Sequence, residues 1–298
     1  MQTGFIAVGL GFMAEPEALS LAAQLAEQVG FHSIWAPEHI VLLDEYASKY
    51  PYSPDGRSPH PTQVDILDPF SALTFVAAQT ETIRVGTGIC LVPERNPLTT
   101  AKEVATLDKL SGGRFDFGVG VGWLEEEFTA LGVPWSRRGA RTREYLQVMK
   151  NLWTEEETAF EGEFCSFPSI RSYPKPIQKP HPPIIFGGES EPALKRSGEV
   201  GDGSFWINVS VADAKSKIDK VKDYARAAGR NPDALHFSIS PPGMGSSTSR
   251  DDLKRLQDAG VTQIIVGSLP ADLQAVSSAA PPPAAGYRVR APRRLRAA

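Results

Sequence analysis

The fold is decided by two stretches in which a β-strand pattern runs into glycines, Arg84-Val85-Gly86-Thr87-Gly88-Ile89 and Phe115-Asp116-Phe117-Gly118-Val119-Gly120-Val121-Gly122. Between them, apolar residues recur at helical spacing from Leu98 to Leu110. A strand, a helix and a second strand in this order place the two strands parallel and side by side. Glycines allow a ligand to approach the backbone closely, and parallel α/β folds bind ligands at the carboxyl ends of their strands. The stretch therefore predicts a parallel α/β protein with a binding site where the glycines stand.

The same alternation of strands and helices extends over most of the sequence. A small excursion with a hairpin around Glu161-Gly162 interrupts it once. Eight strands in a chain of 298 residues match a (β/α)8 TIM barrel with insertions, since such barrels need about 250 residues. We expect one barrel domain over residues 1–280. The predicted strands lie at 3–10, 33–36, 84–89, 115–122, 184–188, 203–207, 235–240 and 263–266.

The C-terminal residues 281–298 break the pattern, because they are rich first in alanine and proline and then in arginine. Such a composition predicts a solvated, disordered tail. An arm for nucleic acid or a membrane surface is a weaker interpretation.

Composition excludes several classes of function. The net charge is −4 and the pI about 5.8, so nucleic acid is not an expected partner. No apolar run reaches the roughly 18 residues that a membrane helix needs, and the first residues lack a signal-peptide pattern. The two cysteines form no metal-binding spacing, so we expect a cytoplasmic protein without a bound metal.

His39 is the candidate acid or base, because it follows the second predicted strand at the end where barrel enzymes keep their chemistry. The other histidines lie in turns or at strand starts. Glu125-Glu126-Glu127 is interpreted as a solvated helix start whose charges complement the helix dipole. The sequence contains no P-loop and no G-x-S-x-G nucleophile elbow.

Three glycine motifs could bind a cofactor. Gly9-Leu10-Gly11-Phe12-Met13-Ala14 matches a dinucleotide fingerprint, with Glu38 as its acidic residue, but the following helix starts too late, at Glu15-Pro16. The stretch from Gly118 to Trp123 could hold an anion with its backbone amides. Gly187-Gly188-Glu189-Ser190 could do so at a helix N-terminus.

Several motifs follow one another over about residues 1–235: Trp35-Ala36-Pro37-Glu38-His39, Tyr50 to Arg57, Gly86 to Ile89, Arg95-Asn96-Pro97, Leu110 to Trp123, Arg137 to Arg141, Tyr173-Pro174-Lys175-Pro176 and Gly187-Gly188. Together they resemble the luciferase-like monooxygenase superfamily, and specifically its branch that depends on the deazaflavin coenzyme F420.

The resemblance implies roles for individual residues. His39 corresponds to the family's active-site histidine, which Glu38 would assist. Gly88-Ile89 falls where many members have a non-prolyl cis peptide that supports the cofactor ring. Val121, Gly122 and Trp123, together with Gly187, Gly188, Glu189 and Ser190, would bind the cofactor. Trp123 stands where some relatives have a glutamate proton donor, which argues against a sugar-phosphate dehydrogenase.

These implications give a ranked set of hypotheses. The first is an F420-dependent oxidoreductase that transfers hydride to or from a small organic substrate. The alternatives are an FMN-dependent two-component monooxygenase, a non-catalytic flavin-binding barrel and a Rossmann dehydrogenase. Residues 42–67 would close over the substrate, and the partners would be a small molecule, a separate cofactor reductase and possible second copies in a homodimer. The predicted substrate pocket consists of Trp35, Tyr46, Tyr50, Tyr52 and Trp206. Trp123 could also line it, and core packing is the plainer role for at least one of the three tryptophans.

Overall fold

The computed structural model describes residues 1–6, 8–245 and 248–267, so the predicted tail and its boundary at residue 280 lie outside the described residues. The strands are β1 (Gln2–Ile6), β2 (Ser33–Ala36), β3 (Arg84–Thr87), β4 (Cys90–Leu91), β5 (Phe115–Gly120), β6 (Thr158–Glu161), β7 (Ser166–Ile170), β8 (Ile184–Gly187), β9 (Gly203–Ile207), β10 (His236–Ser240) and β11 (Gln263–Val266). The α-helices are α1 (Pro16–Gln28), α2 (Pro69–Gln79), α3 (Pro97–Leu110), α4 (Glu125–Ala130), α5 (Arg138–Thr154), α6 (Glu191–Val200), α7 (Val211–Ala227) and α8 (Arg250–Asp258).

Eight parallel strands close into a barrel, which confirms the predicted fold. Their order is β1-β2-β3-β5-β8-β9-β10-β11, and the pairing of β11 with β1 closes the cylinder. The short β4 continues β3 after Gly88-Ile89 and pairs with β5. The Rossmann interpretation is wrong, because the sheet is closed and α1 begins at Pro16 rather than at Gly11.

Helix starts follow their sequence signals. Asp68 precedes Pro69 and accepts a hydrogen bond from Ser71 N at 2.9 Å, as an N-terminal cap does. Asn96 caps α3 in the same way, and Pro97 occupies its first position. The predicted excursion is the antiparallel hairpin β6–β7.

Two apolar layers hold the barrel together. Inside, a small cluster of Ile6, Trp35, Ile185, Phe205 and Ile265 fills the cylinder. A larger layer packs between the sheet and the helices. Because all barrel strands are parallel, their carboxyl ends open at one mouth, above the inner cluster.

Two of the predicted pocket tryptophans belong to these cores. Trp35 is 1% exposed, packs against Phe205 with ring centroids 5.3 Å apart and donates to Ser33 Oγ at 2.7 Å. A Cβ at Gly86 would lie 2.6 Å from the Trp35 ring, so that glycine makes room for the indole. Trp206 is fully buried in the outer layer, where it stacks on Phe237. The pocket prediction for these two residues is therefore corrected, since Trp35 fills the barrel interior and Trp206 faces the helices.

In the part of the chain that the structure describes, no helix has the length and apolarity to cross a membrane.

Candidate active site

His39 lies at the mouth of the barrel and is held by a buried carboxylate. It follows β2, and its Nδ1 is 2.7 Å from Glu127 Oε2. The His39 side chain is 18% exposed, whereas that of Glu127 is fully buried. A carboxylate on Nδ1 fixes the imidazole in one orientation and leaves Nε2 free for a ligand.

Glu127 also binds the backbone that follows His39. Its Oε1 accepts hydrogen bonds from Ile40 N at 2.7 Å and Val41 N at 3.1 Å. The interpretation of Glu125-Glu126-Glu127 as a solvated helix start is wrong for Glu127. The missed signal is the spacing of Leu124, Glu127 and Phe128, which puts Glu127 on the buried face of α4.

Glu38, the second predicted catalytic residue, is engaged elsewhere. Arg95 Nε donates to its Oε1 at 2.7 Å, and the amide of Leu91 donates to its Oε2. Its side chain is 1% exposed. Arg95 also pairs with Asp68 at 2.7 Å. The carboxylate of Glu38 thus ties the segment that carries His39 to β4 and α2.

The Gly88-Ile89 peptide is cis, as the resemblance implies. The Ile89 side chain packs against the ends of two strands, where glycines leave room for it. A Cβ at Gly120 would lie 2.2 Å from Ile89 Cδ1, and a Cβ at Gly187 would lie 2.3 Å from it. Gly120 and Gly187 therefore serve first to seat Ile89. Three strand ends, those of β3, β5 and β8, meet at this side chain.

A group of aromatic rings adjoins His39. Trp123, directly after Gly122, meets the rings of His39, Tyr46 and Tyr50 edge-on, with centroid distances of 5.9, 5.6 and 5.1 Å. Tyr50 in turn meets Tyr52 at 5.5 Å. Burial, with Glu189 and Tyr50 adding to it, raises the pKa of Tyr52 well above its usual value. The predicted pocket tyrosines thus gather with Trp123 beside His39.

These tyrosines belong to the lid segment, residues 42–67, which is hydrogen-bonded to α4. Glu126 Oε1 accepts hydrogen bonds from Ala47 N at 2.6 Å and Ser48 N at 3.2 Å. Ser48 Oγ accepts one from Glu125 N at 3.0 Å. The other end of the lid is bound by a bridge between Leu10 and Ile66.

The Gly187-to-Ser190 motif ends β8 and starts α6. Gly188 has a φ of +88°, which favours glycine, and Ser190 is the N-cap of α6 without a side-chain capping bond. The Glu189 carboxylate is 3.4 Å from Lys217. Backbone amides and the Ser190 hydroxyl are therefore the groups that this turn can offer to an anion.

Two arginines near α6 lack anionic partners among the described residues. The side chain of Arg196 on α6 is 9% exposed and makes no hydrogen bond or ion pair within those residues. Its guanidinium occupies the space that a Gly139 side chain would take. Burial lowers the pKa of Arg196, and so do the nearby charges of Arg143 and Arg138. The Arg138 guanidinium stacks 3.5 Å above Trp135 and leaves its Nε unpaired among the described residues. Unpaired, desolvated guanidinium groups are a binding site for phosphate.

Within the described residues, no cluster of three or more His, Cys, Asp and Glu side chains is arranged to hold a metal ion.

A comparison with known protein families identifies the family of this chain. The model of luciferase-like monooxygenases matches residues 7–264. The chain belongs to the luciferase-like monooxygenase family. Members of this family are oxidoreductases and monooxygenases.

Among the proteins similar to this chain, those named for a cofactor differ in which cofactor that is. An uncharacterised protein of Mycobacterium tuberculosis is 36% identical over 250 residues, which cover 83% of this chain and 85% of the relative. The FMNH2-dependent dimethylsulfone monooxygenase of Pseudomonas putida is 36% identical over 155 residues, or 51% of this chain and 42% of that enzyme. The coenzyme F420-dependent tetrahydromethanopterin reductase of Methanopyrus kandleri has the same fold, with a TM-score of 0.70 at 20% identity over 92% of this chain and 96% of the reductase.

Proposed function

We propose that this luciferase-like protein is a coenzyme F420-dependent oxidoreductase that transfers hydride to or from a small organic substrate. The observation that carries the proposal is the His39–Glu127 pair at the barrel mouth, with Nδ1 and Oε2 2.7 Å apart. Hydride transfer at an alcohol or carbonyl carbon requires a proton to leave or join the oxygen, and a held imidazole suits that task.

Residues at the barrel mouth and beside α6 would hold a tricyclic ring and its phosphate-bearing tail. Ile89, seated on Gly120 and Gly187, offers a firm apolar support for a flat ring. Backbone amides at Gly188 and the unpaired guanidinium groups of Arg138 and Arg196 would hold the phosphate. When bound, the deazaflavin supplies the hydride chemistry, and the protein supplies position and charge.

His39 performs the proton step in this proposal. With Glu127 ionised, Nδ1 carries a proton toward Glu127 Oε2, so Nε2 is the atom that accepts a proton from a substrate hydroxyl. In the reverse direction the same Nε2 donates that proton. Glu38 acts indirectly, since its bonds to Arg95 and Leu91 hold the segment in place.

The lid and Trp123 provide the substrate chamber. Trp123 is the ring in contact with His39, Tyr46 and Tyr50 pack on Trp123, and Tyr52 packs on Tyr50. Closure of these rings would exclude water from the reacting centre. A small substrate with an apolar body and one hydroxyl or carbonyl group fits such a lining. A separate reductase or dehydrogenase would regenerate the cofactor, and a homodimer remains a proposal by analogy.

A second candidate is an FMN-dependent monooxygenase, which the 36% identity to the Pseudomonas putida enzyme favours. The barrel, the lid and His39 would serve both cofactors. The two candidates differ in the tail that leaves the ring and in the oxidant that the second one needs.

Fluorescence titration of the purified protein with F420 and with FMN, each in oxidised and reduced form, separates the candidates. We expect saturable binding of F420 and at least about tenfold weaker binding of FMN, followed by F420 reduction when small secondary alcohols are added. Tight FMN binding with no F420 binding would reverse the ranking. Binding without turnover across alcohols, aldehydes and ketones would instead favour a cofactor-binding protein.

A further inference from the structure

Glu94 is a buried carboxyl group that the proposed reaction does not yet use. It lies in the short 3₁₀ turn between β4 and α3 and is 9% exposed. Neither of its side-chain oxygens has a hydrogen-bond partner within the described residues. This sets it apart from Glu38 and Glu127, whose oxygens are bound to Arg95, His39 and backbone amides.

The position of Glu94 places it underneath the predicted cofactor cradle. A Cβ at Gly122 would lie 3.0 Å from Glu94 Oε1 and 2.5 Å from the ring of Phe128. Gly122 precedes Trp123, which meets His39 edge-on. The carboxyl group of Glu94 and the ring of Phe128 on α4 therefore both lie against Gly122 in the turn after β5.

The charges around Glu94 oppose its ionisation. Glu127 on α4 and Glu38 after β2 are carboxylates within electrostatic reach, and Arg95, the cation beside it, is already bound to Glu38 and Asp68. A buried carboxylate without hydrogen bonds is strongly disfavoured, so such a group keeps its proton. Desolvation, followed by the charges of Glu127 and Glu38, raises the pKa of Glu94 to about 9.

We propose that Glu94 is a positioning residue of this active site, an uncharged carboxylic acid that keeps a second negative charge away from the Glu127–His39 pair. A charge on Glu94 would repel the nearby Glu127 carboxylate, and no hydrogen bond among the described residues would offset that repulsion. Neutral Glu94 adds no charge beside the Glu127–His39 pair while it fills the space beneath Gly122.

This inference rests on the proposed function for its role in catalysis, but the charge state of Glu94 can be tested without any cofactor or substrate. Infrared spectroscopy of the purified protein at pH 7 should show the carbonyl band of a protonated carboxylic acid. We expect Glu94→Gln to lose this band and the control Glu81→Gln, at an exposed position, to retain it. A band that survives in Glu94→Gln, or is absent from the wild type, overturns the proposal.

Stability against pH gives a second readout with a defined sign. Between the usual carboxyl pKa of 4.5 and the raised value of about 9, the folded protein keeps the Glu94 proton and the unfolded chain has lost it. The free energy of unfolding therefore falls as pH rises through this window. Denaturant titrations from pH 5 to pH 9 should show a smaller loss in Glu94→Gln than in the wild type. Equal slopes contradict the proposal, and Glu94→Met serves in the same comparison if the glutamine variant does not fold.

The catalytic consequence is a change in the pH profile of turnover, which a merely structural role would not produce. Glu94 ionises near pH 9 in the wild type, next to the Glu127–His39 pair, and the amide of Glu94→Gln cannot ionise. We therefore expect the wild-type profile to show an inflection near pH 9 that the Glu94→Gln profile lacks. Superimposable profiles would remove the catalytic role even if the infrared band assigns a neutral Glu94.

Discussion

At the scale of single residues, the site depends on how the proton of His39 is placed. The Glu127 carboxylate can only accept hydrogen bonds, and it accepts from Ile40 N, Val41 N and His39 Nδ1. In the neutral imidazole, this arrangement puts the proton on Nδ1 and the lone pair on Nε2. The tautomer of His39 therefore follows from a residue 88 positions away in the chain.

Replacing Glu127 by glutamine tests that tautomer. The glutamine oxygen can still accept from the backbone amides, but its NH2 group would then donate to His39 Nδ1 and shift the ring proton to Nε2. We expect Glu127→Gln to lower kcat roughly 10–100-fold in the direction where His39 accepts a proton, with KM within about twofold. Steady-state kinetics over pH measure this.

The matched control is Glu125→Gln on the exposed side of the same helix. The Glu125→Gln variant should have both the turnover and the fold of the wild type. Unchanged kcat in Glu127→Gln would show that the carboxylate only anchors the backbone and does not act through His39.

Sequence patterns located His39 but not its partner, and the reason is local. A run of three glutamates at a helix start resembles a solvated end, and only the helical spacing with Leu124 and Phe128 reveals that Glu127 faces inward. A strand has a different periodicity, which explains the position of the tryptophan on β9. Because neighbouring residues on a strand face opposite sides of the sheet, Phe205 fills the barrel and Trp206 faces the helices. No sequence pattern indicates that Glu94 is buried, because its burial depends on contacts between elements that are distant in the chain.

At the scale of elements, α4 organises the mouth although it has only six residues. Glu127 holds the segment after β2, and Glu126 holds the lid through Ala47 and Ser48. One short helix thus couples the position of His39 to the position of the aromatic lid. The sequence predicted the barrel elements well because their apolar periodicity is strong, whereas the lid has no period and its path is set by these polar contacts.

Glu126→Ala should loosen the lid without changing the acid–base pair. Desolvation opposes the shift, yet hydrogen bonds from Ser48 and Ala47 lower the pKa of Glu126. The hydrogen bonds that Glu126 accepts from the lid segment are thus present above the usual carboxyl pKa, and they are lost as pH falls through the lowered pKa of Glu126. We expect KM for the substrate to rise several-fold, kcat to change less, and proteolysis within residues 42–67 to accelerate.

Limited proteolysis at pH 7 measures the attachment of the lid segment directly. Glu126→Ala should be cleaved within residues 42–67 faster than the wild type. Glu161→Ala, at an exposed position on the β6–β7 hairpin, is the control. Equal cleavage of all three proteins at pH 7 would mean that Glu126 does not restrain the lid.

At the scale of the whole molecule, a buried positive charge on α6 affects both the stability of the cofactor-free protein and the binding of the cofactor. Arg196 is a buried cation without an anionic partner in the described residues, and neighbouring Arg138 and Arg143 add like charge. Such a group costs folding free energy in the absence of a ligand. A phosphate that pairs with it would recover that cost on binding, which links cofactor affinity to stability.

Arg196→Met tests this linkage, because methionine fills a similar space without charge. We expect the cofactor-free variant to be more stable by roughly 1 kcal/mol, a rise in Tm of about 2 °C, since the unpaired charge is gone. The affinity for F420 should fall at least about tenfold, because a charge-assisted bond to phosphate is lost. Calorimetry with and without cofactor measures both effects. The control Arg226→Met removes an exposed arginine paired with Asp223 and should change neither quantity appreciably. A cofactor-free Arg196→Met that melts earlier, yet binds F420 as the wild type does, would show that Arg196 is a packing residue and that the phosphate lies elsewhere.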